Sequence, residues 1–329
     1  MQGLYQTTFS PLVLAALLSY SGSVDAAAQG QPYPLRPVRV LVPNAAGGAT
    51  DILARTVSAR MGEALNQNFV IDNRPGAGGN IASELTRASP PDGYTIMCVT
   101  AGTHAINATL YRKLAFNPVS DFTAIGLASS SPNLLVVSPQ LPAQSVKDLI
   151  ALAKAKPGEL NFASSGVGTT VHLSGELFNV MAGVSTVHIP FKGSGEAMTN
   201  VIGGRVQFLF ASLSSSIQVV KSGKLRGLAV TSAKRHPAIP DVPSVSETLP
   251  GFEAVAWYGF VGPAGMLRPI VAKLNKTLNA ALQDADTLKR LAAVGVDPLT
   301  STPEEFSAYI KSEIPKWARV VKASGATAD

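Results

Sequence analysis

The sequence contains a single cysteine, Cys98, which lies in the segment TIMCVT. One thiol excludes an internal disulfide and a cysteine-based metal cluster. The pattern around Cys98 indicates a buried strand, so we expect a small core side chain at this position. Histidine is scarce as well, and none of the four histidines lies three to five residues from another. The spacing therefore gives no sign of a metal site.

Charged residues are also few, at 15% of the chain, whereas hydrophobic residues make up 46%. Disordered chains show the opposite balance, so these 329 residues should fold, and they are enough for two sizeable cores. The formal net charge is +6, but no block of five basic residues occurs. Nucleic-acid-binding proteins concentrate positive charge on one stripe, so we expect no nucleic-acid partner. The excess charge indicates either anionic ligands or a solvated basic surface.

No apolar run is long enough to cross a bilayer. The run SPLVLAALLSY has the length found in secretory signal peptides, and Ala26 and Ala28 flank Ala27 in a small-x-small cleavage pattern. The preceding residues, MQGLYQTTFS, lack the Lys or Arg that a signal peptide usually carries. We expect residues 1–28 to be a signal peptide that is cut near Ala28, and the mature protein to be exported.

Short apolar runs then alternate with amphipathic segments, beginning with a strand at 38–43 and a helix at 50–65. This pattern restarts at FTAIGLASSSPNLLVVSP, from residue 122, which predicts two α/β units with mainly parallel sheets flanked by helices. The proline-rich stretch 234–251 should be an extended surface connection, because proline cannot join a central strand. Two long helices are predicted to close the chain, and Pro315 should kink the second.

Two glycine-rich loops each join a predicted strand to a predicted helix. The first, PNAAGGATD (43–51), has neither a Walker A ending nor a Gly-x-Gly-x-x-Gly spacing, and Thr50 is its expected N-cap. The second lies in NFASSGVGTTVHLSGELF (161–178). Backbone N–H groups at a helix start bind a carboxylate or a phosphate, but a tight turn that binds nothing has the same sequence pattern. If both loops face one cleft, they predict a site for a ligand with anionic groups.

Residues suited to catalysis are few. FKGSGEA is not a Gly-x-Ser-x-Gly nucleophile motif, because Lys192 occupies its first glycine position. Asp51 is either a base or a partner of the helix dipole, and His172 is either a ligand-side residue or half of a solvated pair with Glu176. Three more residues have both a cleft interpretation and a structural one: Lys192, Trp257 and Tyr258.

Several long motifs together resemble the Bug family, the TctC-like periplasmic substrate-binding proteins of tripartite tricarboxylate transporters. The resemblance runs from about Tyr33 to the final helix. It is carried by VRVLVPNAAGGATDILAR, VIDNRPGAGGNIASELTRASPPDGYTI, HAINATLY, NFASSGVGTTVHLSGELF, IPFKGSGEAMTNVIGGRVQFLF, GKLRGLAVTSAKRHPAIPDVPSVSE and WYGFVGPAG.

The resemblance implies a periplasmic, two-domain Venus-flytrap binding protein, with residues 29–127 plus 254–329 in domain one and 128–253 in domain two. It implies a small organic anion, commonly a carboxylate, that backbone amides and ordered waters hold between the two loops. No cofactor, metal or catalytic residue is expected, and a monomer is expected. The ligand-binding positions carried over are Asn44, Ala45, Ala46, Gly47, Gly48, Ala49, Thr50, Asp51, Ser164, Ser165, Gly168, Thr169 and Thr170.

The sequence departs from the family pattern at four of its positions. Relatives usually have an aromatic residue at Asn44, proline at Ala46 and glycine at Ala49, and they often have aspartate at Ala211. Since that aspartate commonly meets donor groups of the ligand, Ala211 argues against an amino-acid ligand. We therefore predict a receptor that serves the membrane components of a tripartite tricarboxylate transporter. Two alternatives stay open: a sensor that signals to a membrane protein, and a hydrolase or isomerase that uses Asp51 or His172.

Overall fold

The computed structural model describes residues 33–191, 193–293 and 296–328, except for the side chain of Ser214. The predicted signal peptide (1–28) and Lys192 lie outside these residues. Residues from Arg36 onward form one compact unit, which is the subject of the following paragraphs.

The described residues contain ten strands, which hydrogen bonds join into a single sheet. They are β1 (Val38–Val42), β2 (Phe69–Asn73), β3 (Thr95–Thr100), β4 (Phe122–Val137), β5 (Asn161–Ser164), β6 (Val187–Pro190), β7 (Phe208–Ser212), β8 (Arg226–Val230), β9 (Val255–Pro263) and β10 (Asp297–Pro298). The strand order is β2-β1-β3-β9-β4-β7-β5-β6, and β8 and β10 also pair with β4.

Two groups of strands pair in parallel, as predicted. β1 lies parallel to β2 and β3, and β5 lies parallel to β6 and β7. The sheet as a whole is mixed, however, because β9 pairs antiparallel with β3 and β4, and β4 pairs antiparallel with β7, β8 and β10. The prediction of mainly parallel pairing therefore holds only for these two groups of strands.

The 16-residue strand β4 joins the two parts of the sheet. Its first part, as far as Pro132, pairs with β9, and its last part, from Asn133, pairs with β7. We call β1, β2, β3 and β9 with the first part of β4 the first sheet region. β5 to β8 with the last part of β4 form the second sheet region.

Ten α-helices lie within the described residues. They are α1 (Ala49–Leu65), α2 (Asn80–Arg87), α3 (Asn107–Leu110), α4 (Val146–Ala155), α5 (Thr170–Ala182), α6 (Ser194–Ile202), α7 (Leu213–Lys221), α8 (Arg268–Gln283), α9 (Ala285–Ala293) and α10 (Pro303–Ser324). A π-helical turn, Gly102–Ile106, leads into α3.

The first of the two predicted C-terminal helices is two helices, α8 and α9. Asp284 separates them because its backbone is extended, with ψ at 134°. Its side chain accepts a hydrogen bond from the Thr287 N–H at 3.0 Å and so caps the first turn of α9. α10 continues through Pro315 as one helix. The 234–251 connection contains no strand, as its prolines predicted, and has one 3₁₀ turn, Val245–Glu247. About half of its residues are exposed, whereas Ser244 and Val245 are buried.

A hydrophobic core runs beneath both sheet regions and includes Val99 and Trp257 of the first and Phe162 and Phe208 of the second. Cys98 is fully buried in β3, as its sequence context predicted. No helix in the described part of the chain combines the length and apolar character needed to span a bilayer. The division into two domains stays a prediction.

Gly259 in β9 should be sensitive to substitution, because a Cβ there would overlap the buried ring of Phe306 on α10. We expect Gly259→Ala to lower the free energy of unfolding by about 1–3 kcal/mol, as overpacking does in cores. The matched control is Gly195→Ala in α6, where a Cβ meets nothing within 4 Å. Denaturant unfolding of both variants measures the effect, and equal stability would contradict the packing argument.

Candidate functional site

The first glycine-rich loop connects β1 to α1 and begins the helix at Ala49. The N-cap is Gly48, with φ at −79° and ψ at 168°, so the prediction that Thr50 is the cap was wrong. The Gly48 carbonyl accepts the first helical hydrogen bond, from the Ile52 N–H at 2.9 Å, which makes Gly48 the N-cap. Thr50 is buried within the first turn, and its side chain bonds with Tyr258 instead.

The buried side chain of Asp51 stabilises the first loop. Its carboxylate accepts hydrogen bonds from the Gly47 N–H (2.9 Å), from Arg55 Nε (2.9 Å) and from Asn73 Nδ2 (2.9 Å). Burial alone would raise the pKa of Asp51, but the bonds from Arg55, Gly47 and Asn73 outweigh burial and hold the pKa below its usual value. Asn73 also donates to the Asn44 carbonyl at 3.0 Å, so both ends of the loop are tied to β2. These contacts identify Asp51 as a support of the loop.

The second loop connects β5 to α5, and Thr169 is its N-cap. The Thr169 hydroxyl accepts from the His172 N–H at 3.2 Å and donates to the Gly166 carbonyl at 2.8 Å. Gly168 has φ at +76°, and a Cβ there would lie 2.5 Å from Leu110 Cδ2. Only glycine meets both conditions, so the second loop approaches α3, the helix that follows β3, closely.

A cavity of about 290 Å³ lies where these loops meet. The predicted site residues that line it are Asn44 and Thr50 from the first loop and Gly168, Thr169 and Thr170 from the second loop and the start of α5. The two loops that the sequence singled out are therefore brought to one cavity.

The other predicted site residues lie around the cavity rather than in its lining. Ala45, Ala46, Gly47, Gly48 and Ala49 are exposed along the first loop, whereas Asp51, Ser164 and His172 are buried behind the loops. Ser165 is partly exposed in the second loop. Ala211 is buried in the core of the second sheet region, where it pairs with Leu134 in β4. The ligand-binding role of all these positions stays a prediction.

Sequence reasoning missed several parts of the lining. A third glycine-rich turn, residues 76–79, has positive φ at every position and leads into α2. Its Gly78 lines the cavity, and Asn107 fixes it by donating to the Gly78 carbonyl at 3.0 Å. Its sequence, PGAGGN, shows the same glycine-before-helix pattern as the first loop, and that pattern was the signal available. Further lining comes from Thr100, Ala101, Gly102, Asn107, Leu110, Tyr111, Val167 and Ala328.

β9 contributes Ala256, Trp257 and Tyr258 to the lining. Trp257 is fully buried in the core and also lines the cavity. Its Nε1–H donates to Glu313 of α10 at 3.0 Å. Burial raises the pKa of the Tyr258 phenol to about 12, although the bond with Thr50 acts in the opposite direction. Tyr258 is therefore a neutral hydroxyl group near neutral pH.

No described lining residue carries a carboxylate, amine, guanidinium or imidazole group. The polar groups that the lining offers are backbone amides, side-chain amides and hydroxyls. Three helices, α1, α2 and α5, begin in loops that line the cavity, and helix starts favour negative charge. Elsewhere among the described residues, no group of three or more His, Cys, Asp or Glu side chains could hold a metal ion.

Comparison with known proteins identifies the family. The family described as "Tripartite tricarboxylate transporter family receptor" (TctC) matches residues 53–326. The chain belongs to this receptor family. Protein BugT of Bordetella pertussis is 33% identical to it over 317 residues, which cover 96% of this chain and 97% of BugT.

Two solved structures are similar over most of the receptor. R. palustris Rpa4515 with adipate is 39% identical, with a TM-score of 0.77, and covers 90% of this chain and 99% of its own. MatC (Rpa3494) from Rhodopseudomonas palustris, with bound malate, is 33% identical, with a TM-score of 0.74. The match covers 88% of this chain and 100% of the MatC chain. The periplasmic binding protein BugD also matches, at 34% identity. The predicted family and the predicted α/β periplasmic-binding-protein fold are both confirmed.

Asp51→Asn should lower the receptor's free energy of unfolding by about 1–3 kcal/mol, because hydrogen bonds to a charged carboxylate are lost. Since the folded-state pKa of Asp51 is lowered, its contribution is complete above the unfolded-state pKa and is lost as pH falls through the folded-state value. The stability difference between wild type and variant should therefore be constant above about pH 5 and shrink below it. Denaturant titrations from pH 7 to 3 measure this difference.

Asp286→Asn is the control, since Asp286 pairs with Arg60 on the surface and is 68% exposed. Exposed pairs contribute little to stability, so this variant should behave like wild type. A difference for Asp51→Asn that stays constant down to pH 3 would show that the carboxylate does not stabilise the loop in its charged form.

Proposed function

We propose that this receptor captures a small organic carboxylate in the cavity between the first and second loops. The observation that carries the proposal is the convergence of helix starts and hydroxyl groups on a cavity without formal charges in its described lining. Such a site binds an anion through dipoles and N–H donors. Structural relatives solved with adipate and with malate support the same ligand class.

The size and polarity of the cavity favour a small ligand. A volume of about 290 Å³ lies at the lower end of the range for ligand pockets. The lining offers hydroxyls and amides, such as those of Thr100 and Asn107, together with apolar surface from Leu110 and Val167. Micromolar affinity needs about −8 kcal/mol. Several charge-assisted hydrogen bonds of roughly 1.5–3 kcal/mol each are sufficient after ordering costs.

We further propose that the receptor acts in the periplasm as a monomer, without catalysis, and delivers its ligand to the membrane components of a tripartite tricarboxylate transporter. Its two predicted domains would close about residues 129–133 and 253–257. Two observations support this hinge: these segments pair side by side in β4 and β9, and they adjoin the cavity at Trp257. Deletion of the gene for this receptor distinguishes delivery from sensing. Loss of ligand uptake supports delivery to a transporter, whereas intact uptake with loss of a transcriptional response to the ligand supports the sensor alternative.

Thermal unfolding with a ligand panel tests the carboxylate assignment. The panel contains adipate, malate, citrate, benzoate, amino acids and the neutral amides of the acids. A ligand at 100 times its Kd stabilises the protein by about 2.7 kcal/mol, which is a shift of roughly 5–10 °C at this size. We expect at least one acid to shift the midpoint and its amide to leave it unchanged. Equal shifts by acid and amide, or none in the panel, would reject the assignment.

One variant in each loop tests whether both loops bind the ligand. Gly48→Pro removes a backbone N–H at a φ of −79° that suits proline, and Thr170→Val removes a hydroxyl from the lining at nearly constant volume. Each should weaken binding of the active acid about 10- to 100-fold, the equivalent of one hydrogen bond to a charged group.

Calorimetry measures these affinities, and circular dichroism verifies the fold. The matched control is Thr199→Val, which removes an exposed hydroxyl of α6 that bonds to the Gly195 carbonyl. Unchanged affinity in both loop variants would mean that the acid binds elsewhere.

A further inference from the structure

Two histidines that come from different elements stack behind the second loop. The imidazole rings of His172 in α5 and His188 in β6 lie 3.9 Å apart between centroids, with an angle of 25° between their planes. Phe162 of β5 stacks on His188 at 5.0 Å. His172 is 3% exposed and does not line the cavity, so its contacts are with the protein itself.

Each imidazole bonds to one end of the second loop. The Gly168 N–H donates to His172 Nδ1 at 3.2 Å, at the end where the loop meets the cavity. His188 Nε2 lies 2.6 Å from Ser164 Oγ, and that oxygen also accepts from the Gly166 N–H at 3.1 Å. The loop between Ser164 and Gly168 is therefore held by two rings that also touch one another.

The direction of the Gly168 bond sets the protonation state that this geometry requires. Nδ1 of His172 accepts a hydrogen bond, so it must carry a lone pair and no proton. The ring proton then lies on Nε2, which faces Glu176 Oε1 at 3.5 Å. A proton on Nδ1 would point at another N–H donor, and the loop would have to move away from His172.

We propose that neutral His172 is a positioning residue for the second loop, and that its protonation displaces Gly168 and weakens ligand binding. Only the consequence for the ligand rests on the proposed function; the coupling of His172 to the loop does not.

Charged and titratable groups lie on α5 itself and on elements packed against it. Glu176 Oε1 of α5 lies 3.5 Å from His172 Nε2, and the ring of His188 from β6 stacks on the imidazole. Burial, together with His172, lowers the pKa of His188 to about 4, so His188 stays neutral over the tested range. The other packed element with a buried charge is α10, and its Glu313 is already bonded to Trp257, Trp317 and Lys316.

Two substitutions separate the Nδ1 contact from the rest of the ring. His172→Asn places an amide oxygen near the Nδ1 position and removes the titration, whereas His172→Gln places its amide near Nε2 and leaves Gly168 without an acceptor. At pH 7.5 we expect His172→Asn to bind adipate and malate within about threefold of wild type and His172→Gln about tenfold more weakly, as for one lost hydrogen bond. His236→Asn, which removes an imidazole bonded to Asp297, should match wild type at each pH.

The pH profile distinguishes positioning from a merely structural role. Between pH 8 and 5.5, wild type should lose affinity for the two acids, while the profile of His172→Asn should be nearly flat. Affinity that rises on acidification would mean that the positive charge of His172 attracts the ligand, and it would overturn the proposal. A profile of His172→Asn that follows wild type would overturn it as well.

A measurement without ligand keeps the proposal separate from the carboxylate assignment. In ¹⁵N NMR of the full chain, the Gly168 amide should show scalar coupling to His172 Nδ1 across the N–H···N bond at pH 7.5. It should lose this coupling on acidification. If neither acid binds but the coupling titrates, the choice of ligand is wrong and the positioning role stands. If no coupling is present at pH 7.5, His172 does not hold the loop.

Discussion

The antiparallel pairing of β4 with β9 brings the cavity together. β4 continues from the first sheet region into the second, and β9 runs beside it as far as Val255. Parallel strands on either side of this pair end in loops that start helices, and β9 itself supplies Trp257 and Tyr258 between them. Without this pair, each set of loops would be an ordinary edge of an α/β sheet, where a ligand is contacted from one side only.

The described lining combines loops at helix starts with hydroxyl and amide side chains and contains no formal cation. Backbone amides at helix starts are fixed in direction, so they need no side-chain ordering when a ligand binds. The charged groups lie behind the lining residues. Asp51 accepts a hydrogen bond from the first loop, and Glu313 accepts one from the indole N–H of Trp257. The buried carboxylates therefore fix the shape of the site, and their negative charge stays bonded to partners of their own.

Local sequence predicted the strand–helix units and both loops, because strand periodicity and glycine before a helix are local signals. It did not predict the pairing of β4 with β9, which joins residues far apart in the chain. For the same reason it missed Asn107 and Ala328 in the lining, and it assigned Thr50 as an N-cap although its side chain bonds with Tyr258. Asp284 also interrupted a predicted helix, because an extended aspartate can start a new one.

The two loops are held by chemically different groups, and this difference has a consequence. Asp51 is a carboxylate whose pKa is lowered, so the first loop keeps its shape down to acidic pH. His172 must be neutral to accept from Gly168, so the shape of the second loop depends on an imidazole. Under the proposed function, ligand capture uses both loops, whereas release needs only one of them to change. If both proposals hold, the ligand is released through a local movement of the second loop while the first loop and the sheet beneath stay intact.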